Sequence, residues 1–288
     1  MSSNTDSRTA VITGAASGIG LETARALAAK GWRLTLADID QQRLDEIANE
    51  LAGVTEVLAI QVDVSNAAEV ATLAEAAFDR FGVVDFLHSN AGVALLSPLA
   101  TTGVDDWKWL LDVNVWGTIH CVGAFVPKLV AQERPSQITF TASIAGLVAA
   151  PGLGAYGATK YAVVGIAEVL HRELRRDGIS VSVLCPMRVA TNFARSERNR
   201  QPKFGPPSAS HEVRKENFGG RSFVGDVMKP AVVAKLVVDA IGTDRLYILT
   251  HEESGPFVKQ KFEQIEESLT FLSNSGLLNE SGEVARRG

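Results

Sequence analysis

Short apolar runs alternate with longer helical stretches from Thr9 to Leu249, and that rhythm leaves few folds open to this chain. The pattern predicts strands over 9–12, 33–37, 57–61, 84–89, 137–141, 179–185 and 246–249. Between them it predicts helices over 21–30, 41–51, 67–81, 106–132, 155–176 and 232–241. Strands separated by helices of this length are joined by right-handed crossovers, which make a parallel sheet with both faces covered. The expected fold is therefore α/β, a doubly wound parallel sheet of Rossmann type. No linker-like stretch interrupts it, so a single domain over 8–250 is expected, preceded by a frayed tail at 1–7. Within the long helix, Gly117, Gly123 and Pro127 weaken the pattern, and Pro127 predicts a kink near its end.

Composition narrows the function. The chain has 288 residues, 46% hydrophobic and 21% charged, enough for a large core. A net charge of −5 argues against a nucleic-acid partner. Cys121 and Cys185 supply no disulfide framework, and the five histidines show no metal-ligand spacing, so no metal is expected. No apolar run reaches the roughly 18 residues of a membrane span, and the polar start has no signal region. A cytoplasmic setting is the expectation.

The turn Thr13-Gly14-Ala15-Ala16-Ser17-Gly18-Ile19-Gly20 joins the first strand to the first helix. Its glycines let backbone N–H groups of the turn, Ser17 and Ile19 included, approach a pyrophosphate, and the helix directs its positive end to the same place. Asp38, at the end of the second strand, is placed to accept from the adenosine ribose hydroxyls. A 2′-phosphate would meet a like charge there. Ala16 and Ile39 offer no compensating base, which predicts NAD over NADP. The alternative for Asp38, a helix cap, is better filled by Asp40.

Tyr156 and Lys160 stand four residues apart on one face of a predicted helix, with Ser143 thirteen positions upstream. An ammonium beside a phenol is expected to lower the phenol's pKa from about 10. That makes a general acid/base for moving a proton on or off an alcohol oxygen.

With these motifs in this order, the chain resembles the short-chain dehydrogenase/reductase family over roughly residues 8–249. Five segments carry the resemblance: Gly14 through Gly20; Asp63-Val64; Asn90-Ala91-Gly92; Ser143 with Tyr156 and Lys160; and Pro186 with Thr191. The resemblance implies that Asp63 and Val64 hold the adenine and that Asn90, Ala91 and Gly92 line the cofactor crevice. It implies that Val189 and Thr191 lie by the nicotinamide. Asn114 would hold a water that extends a relay from Lys160. Ser143 would orient the substrate oxygen, Tyr156 transfer the proton, and Lys160 bind the nicotinamide ribose. A homo-oligomer, tetramer or dimer, is implied as well. Met187 stands where the family usually has glycine, beside the substrate.

The resulting expectation is an NAD-dependent oxidoreductase that interconverts a secondary alcohol and a ketone, with a bulky or cyclic small molecule as substrate. The alternatives are a reductase acting mainly on a quinone or cyclic ketone, and a non-catalytic NAD(H)-sensing scaffold. Residues 187–228 lack a period and read as a substrate-binding loop. From Arg188 that loop carries eight basic and four acidic residues, read as a solvated surface in preference to an anion-attracting lid. Phe193, Phe204, Phe218 and Phe223 are candidates to close it over an apolar substrate. Cys185 reads as core, and His88 as a core or pocket-edge residue. Residues 251–288 form an extension with an amphipathic helix over 257–272 and a frayed end.

Overall fold

The computed structural model describes residues 7–206 and 226–274. Its strands are β1 (Thr9–Thr13), β2 (Arg33–Asp38), β3 (Val57–Gln61), β4 (Phe86–Ser89), β5 (Ser136–Thr141), β6 (Ile179–Cys185) and β7 (Tyr247–Leu249). They form one sheet in the order β3-β2-β1-β4-β5-β6-β7, and every neighbouring pair is parallel. All five residues of β1 are buried, the continuous pattern of a strand covered on both faces. Its successive side chains serve opposite layers. Ala10 and Ile12 pack with α1 (Gly18–Ala28), α2 (Gln41–Ala52) and α7 (Pro230–Ala240). Val11 packs with α3 (Ala67–Phe81), α4 (Val104–Leu111), α5 (Gly117–Ala131) and α6 (Gly154–Glu173) on the other side.

Boundaries moved where side chains competed for backbone groups. β4 begins at Phe86 rather than Val84 because the Gln132 amide bonds both the N–H and the carbonyl of Val84. The long helix expected from Asp106 is interrupted, but not at Pro127, where the kink was expected. A single π-type turn, Asp112–Trp116, separates α4 from α5, and α5 continues through Pro127 to Ala131. Burial of Phe125 and Leu129 on either side of the proline outweighs its missing N–H. The stretch Val104–Ala131 is long and apolar enough to cross a bilayer. Its apolar residues Trp109, Leu110, Cys121, Phe125 and Leu129 are spent on the sheet instead.

The order places the topological switch between β1 and β4. The chain leaves β1 toward β2 and β3, then crosses back to β4, so a crevice opens beyond the carboxyl ends of these two neighbours. Residues 187–206 pass over that crevice with 3₁₀ turns over Asn192–Asn199, broken by a kink at Arg195, and over Pro202–Phe204. The extension begins with α8 (Gly255–Asn274).

Candidate active site

A cavity of about 660 Å³ fills the crevice. At one end lies the glycine turn. Gly14 has φ +66°, and a Cβ there would stand 2.9 Å from the Cα of Ala91. A Cβ on Gly20 would stand 2.2 Å from the carbonyl oxygen of Gly14, so only glycine lets α1 start this close to the strand. Ser17 precedes α1 without making a capping hydrogen bond. Gly14, Ser17, Gly18 and Ile19 line the cavity, whereas Gly20 lies behind it and acts through packing. A helix N-terminus opening on glycines with no side chain in the way fits the pyrophosphate of a dinucleotide.

Asp38 lines the same cavity. Its carboxylate accepts from the N–H of Ala16 at 2.9 Å and of Asp40 at 3.1 Å, tying the turn to β2. Burial raises its pKa, against the pull of those N–H groups. Asp40 caps α2 by accepting from the N–H of Arg43. Asp63 accepts from the N–H and hydroxyl of Ser65 and faces Lys203 at 3.4 Å. Burial raises this carboxyl's pKa, but Ser65 and Lys203 outweigh it and hold the group below its ordinary value. Asp63, Val64, Asn90, Ala91, Gly92, Pro186, Val189 and Thr191 all reach the cavity wall.

At the other end Ser143 follows β5, and α6 presents Tyr156 and Lys160 on one face. The Ser143 hydroxyl hydrogen-bonds the Tyr156 phenol and also meets the Ala145 N–H at 3.1 Å. The expected lowering of the Tyr156 pKa by Lys160 is not what the geometry produces. Burial dominates and raises the phenol's pKa, with the Ser143 hydrogen bond opposing it. The Lys160 ammonium points past the ring, 5.7 Å from its centroid, and donates to the carbonyl of Thr141 at 2.9 Å. Burial lowers the Lys160 pKa to about 8. Both groups therefore lean toward their neutral forms.

Asn114 stands behind the cavity wall. The π-type turn directs it inward, where Oδ1 accepts from the N–H of Val93 at 2.8 Å. Its amide donates to the Val93 carbonyl and to Thr159. Both amide hydrogens are used, and Asn114 does not line the cavity. It fastens the segment after β4 to α6.

Sequence reasoning missed Thr141. Its carbonyl holds Lys160, and its hydroxyl donates to the Asn90 amide oxygen at 3.1 Å, so it accepts from His88 Nε2 at 3.0 Å. The Asn90 amide in turn donates to the carbonyls of Thr13 and Gly14. One chain of hydrogen bonds thus links Lys160 to the glycine turn. Its place at the carboxyl end of a central strand was the available signal. His88 is fully buried, and burial lowers its pKa to about 3. The Cys185 thiol is likewise pushed up to about 12 by burial.

Val93, Ala94, Leu96, Leu153, Met187 and Val227 add an apolar wall to the cavity. Phe204 is not among them; it is buried in the core beside α4. Phe218 and Phe223 lie outside the described residues, as does the Phe193 side chain. The loop's charges are also not all solvated. Arg200 and Asp106 form an ion pair at 2.6 Å with side chains 4% and 1% exposed, and the Arg200 guanidinium lies over the Trp109 ring at 5.0 Å.

A switch-point crevice with a phosphate-binding turn at one end and a serine–tyrosine–lysine cluster at the other defines a dinucleotide-binding oxidoreductase. The model of the short chain dehydrogenase family matches residues 8–202, and the chain belongs to that family. It is 33% identical over 261 residues to a CLA biosynthesis dehydrogenase/reductase of Lactiplantibacillus plantarum, covering 88% of this chain and 91% of the relative. It is also 33% identical over 261 residues to a 1-deoxy-11-beta-hydroxypentalenate dehydrogenase of Streptomyces exfoliatus, covering 90% and 88%. A crystal structure of a short chain dehydrogenase/reductase from Burkholderia phymatum in complex with NAD superimposes with a TM-score of 0.84. That protein is 38% identical, with 92% of this chain and 96% of that one covered.

Proposed function

We propose that this oxidoreductase interconverts a secondary alcohol and its ketone using NAD(H), with Tyr156 as the proton-transfer group. The observation that carries the reading is the hydrogen bond between the Ser143 and Tyr156 hydroxyls in the wall of the cavity that the glycine turn also lines. Gly14, Ser17, Gly18 and Ile19 hold the pyrophosphate and Asp38 the adenosine ribose. A nicotinamide dinucleotide held by these residues would supply the hydride acceptor for the alcohol carbon. Ser143 orients the substrate oxygen, and Tyr156 takes up or returns its proton. Lys160, braced on Thr141, holds the nicotinamide-side ribose. Asp38 supports NAD over NADP by meeting a 2′-phosphate with a like charge, and the NAD complex of the Burkholderia relative supports the same choice.

The apolar wall around Met187 supports a bulky or cyclic substrate. So does the relative named for dehydrogenating a hydroxypentalenate. Exposed Leu111, Trp116 and Ile119 on the π-interrupted helix and Val169 on α6 support a homo-oligomer, tetramer or dimer. Two buried free thiols are in keeping with a cytoplasmic setting.

The test is a screen of NAD⁺ reduction and NADH oxidation over aliphatic, cyclic, benzylic, sterol and hydroxy-acid alcohols and their ketones. Turnover on one class, abolished by Tyr156→Phe with NADH binding retained, supports the reading. Activity of Tyr156→Phe within about tenfold of the unmodified enzyme removes Tyr156 from this role. NADH binding with no turnover on any class favours the sensor.

A further inference from the structure

The peptide between Pro186 and Met187 is held from both sides, and one hold runs to a histidine outside the cavity. β6 and β7 pair in register as far as Cys185 and Leu249. Pro186 has no N–H with which to continue that ladder. Other groups take over beyond it. The Pro186 carbonyl accepts from the N–H of Ile144 at 2.9 Å and from the Ser143 hydroxyl at 3.4 Å. The Met187 N–H donates to the Thr250 hydroxyl oxygen at 3.3 Å. That hydroxyl lies 2.6 Å from Nδ1 of His251, whose Nε2 lies 2.9 Å from the main-chain oxygen of Asp226. Thr250 and His251 are both buried, and neither lines the cavity.

The partners fix the direction of every bond in this chain. A main-chain carbonyl can only accept, so Nε2 carries a hydrogen and donates to Asp226. In the neutral ring Nδ1 is then bare and accepts from the Thr250 hydroxyl. With its hydrogen spent on Nδ1, the Thr250 oxygen keeps its lone pairs for the Met187 N–H. The bonds run one way, from Met187 through Thr250 and His251 to Asp226, and each polarises the next. Both ends of the chain adjoin the cavity. Met187 lines it, and so does Val227, the residue after Asp226. The two segments meet in a short parallel bridge, where the Met228 N–H donates to the Arg188 carbonyl and the Ala190 N–H to the Met228 carbonyl, each at 2.9 Å. A lone pair of strand segments is marginal in water. His251 ties both of them to the buried end of β7.

We propose that His251 is a positioning residue for the substrate, setting Met187 and Val227 in the apolar wall and, through the Pro186–Met187 peptide, the distance of that wall from Ser143. The inference rests on the reading of Ser143 as the residue that orients the substrate oxygen. His251 touches neither substrate nor cofactor. Its loss acts on how the substrate is held, and the proton-transfer groups stay in place.

The test compares Thr250→Val, His251→Leu, their double variant and His251→Asn in the full chain. Hydrogen exchange of the Met187 and Met228 amides, followed by NMR, needs no turnover. Thr250→Val and His251→Leu should each speed exchange at Met187 about tenfold, and His251→Leu should speed it at Met228 as well. His251→Asn keeps an acceptor where Nδ1 stands, so it should restore Met187 and leave Met228 fast. On the substrate class that the alcohol and ketone screen selects, each of the first two variants should raise the substrate KM about tenfold, with kcat and the NADH Kd within about threefold. The double variant should be no worse than the worse single, because both break one chain. Unchanged Met187 exchange in His251→Leu, or KM effects that multiply in the double variant, would overturn the proposal. Faster exchange with no class turned over by the unmodified enzyme would uphold the positioning of the wall and reject the alcohol–ketone reading.

Discussion

Lys160 offers the sharpest physical test, because its burial makes a stability difference that depends on pH. The side chain is 2% exposed, and its pKa falls from 10.5 to about 8 on folding. The folded value lies below the unfolded one. Below pH 8 both states hold the proton, and the folded state bears the full cost of a buried ammonium. As pH rises through 8 the folded form releases the proton while the unfolded chain keeps it, so the cost is relieved, completely above pH 10.5. At about 1.4 kcal/mol for each tenfold change in proton affinity, this is roughly 3 kcal/mol in all, most of it recovered between pH 7 and 10. Lys160→Met keeps the length and removes the charge. It also loses the hydrogen bond to Thr141, at a cost of about 1–3 kcal/mol that does not vary with pH. The stability of Lys160→Met minus that of the unmodified protein should therefore be about 2–3 kcal/mol more favourable at pH 7 than at pH 10. Urea unfolding of both proteins at the two pH values, with m-values compared, measures this. A difference that stays the same within about 0.5 kcal/mol would show that Lys160 pays no charge-burial cost, and the reasoning would fail.

Three further outcomes follow from the geometry. Gly20→Ala puts a methyl group 2.2 Å from the Gly14 carbonyl, so the turn must move; calorimetry should show weakened NAD(H) binding by at least about tenfold together with a lower Tm. Arg200→Met leaves Asp106 buried without its guanidinium partner and should cost about 3–5 kcal/mol, and adding Asp106→Leu should restore most of it in denaturant unfolding. Asp38→Ala should narrow the ratio of kcat/KM for NAD⁺ over NADP⁺; an unchanged ratio, or an unmodified enzyme that prefers NADP⁺, would show that Asp38 does not select the cofactor.

Much of the fold was legible because its signals are local. Buried parallel strands announce themselves as apolar runs, and glycines mark the turn where φ is positive, as at Gly14. Tyr156 and Lys160 share a helix face by spacing alone. The π-type turn that aims Asn114 at Val93 was not legible, since no residue type marks it, and Pro127 drew the expected break to the wrong place. Phe204 was equally opaque. An aromatic residue in an aperiodic loop reads the same whether it closes over a substrate or joins the core, and here it joins the core.

The sequence by itself determined the alternation that makes a parallel doubly wound sheet, the glycine turn between β1 and α1, and the helix face that Tyr156 and Lys160 share. Those depend on periods and spacings that the backbone imposes within a few residues. Only the tertiary structure decided the electrostatics of the site. Whether an ammonium lowers a neighbouring phenol's pKa depends on where each group points and how much water it keeps. Lys160 turns to the Thr141 carbonyl, Tyr156 turns to Ser143, and burial draws both toward their neutral forms.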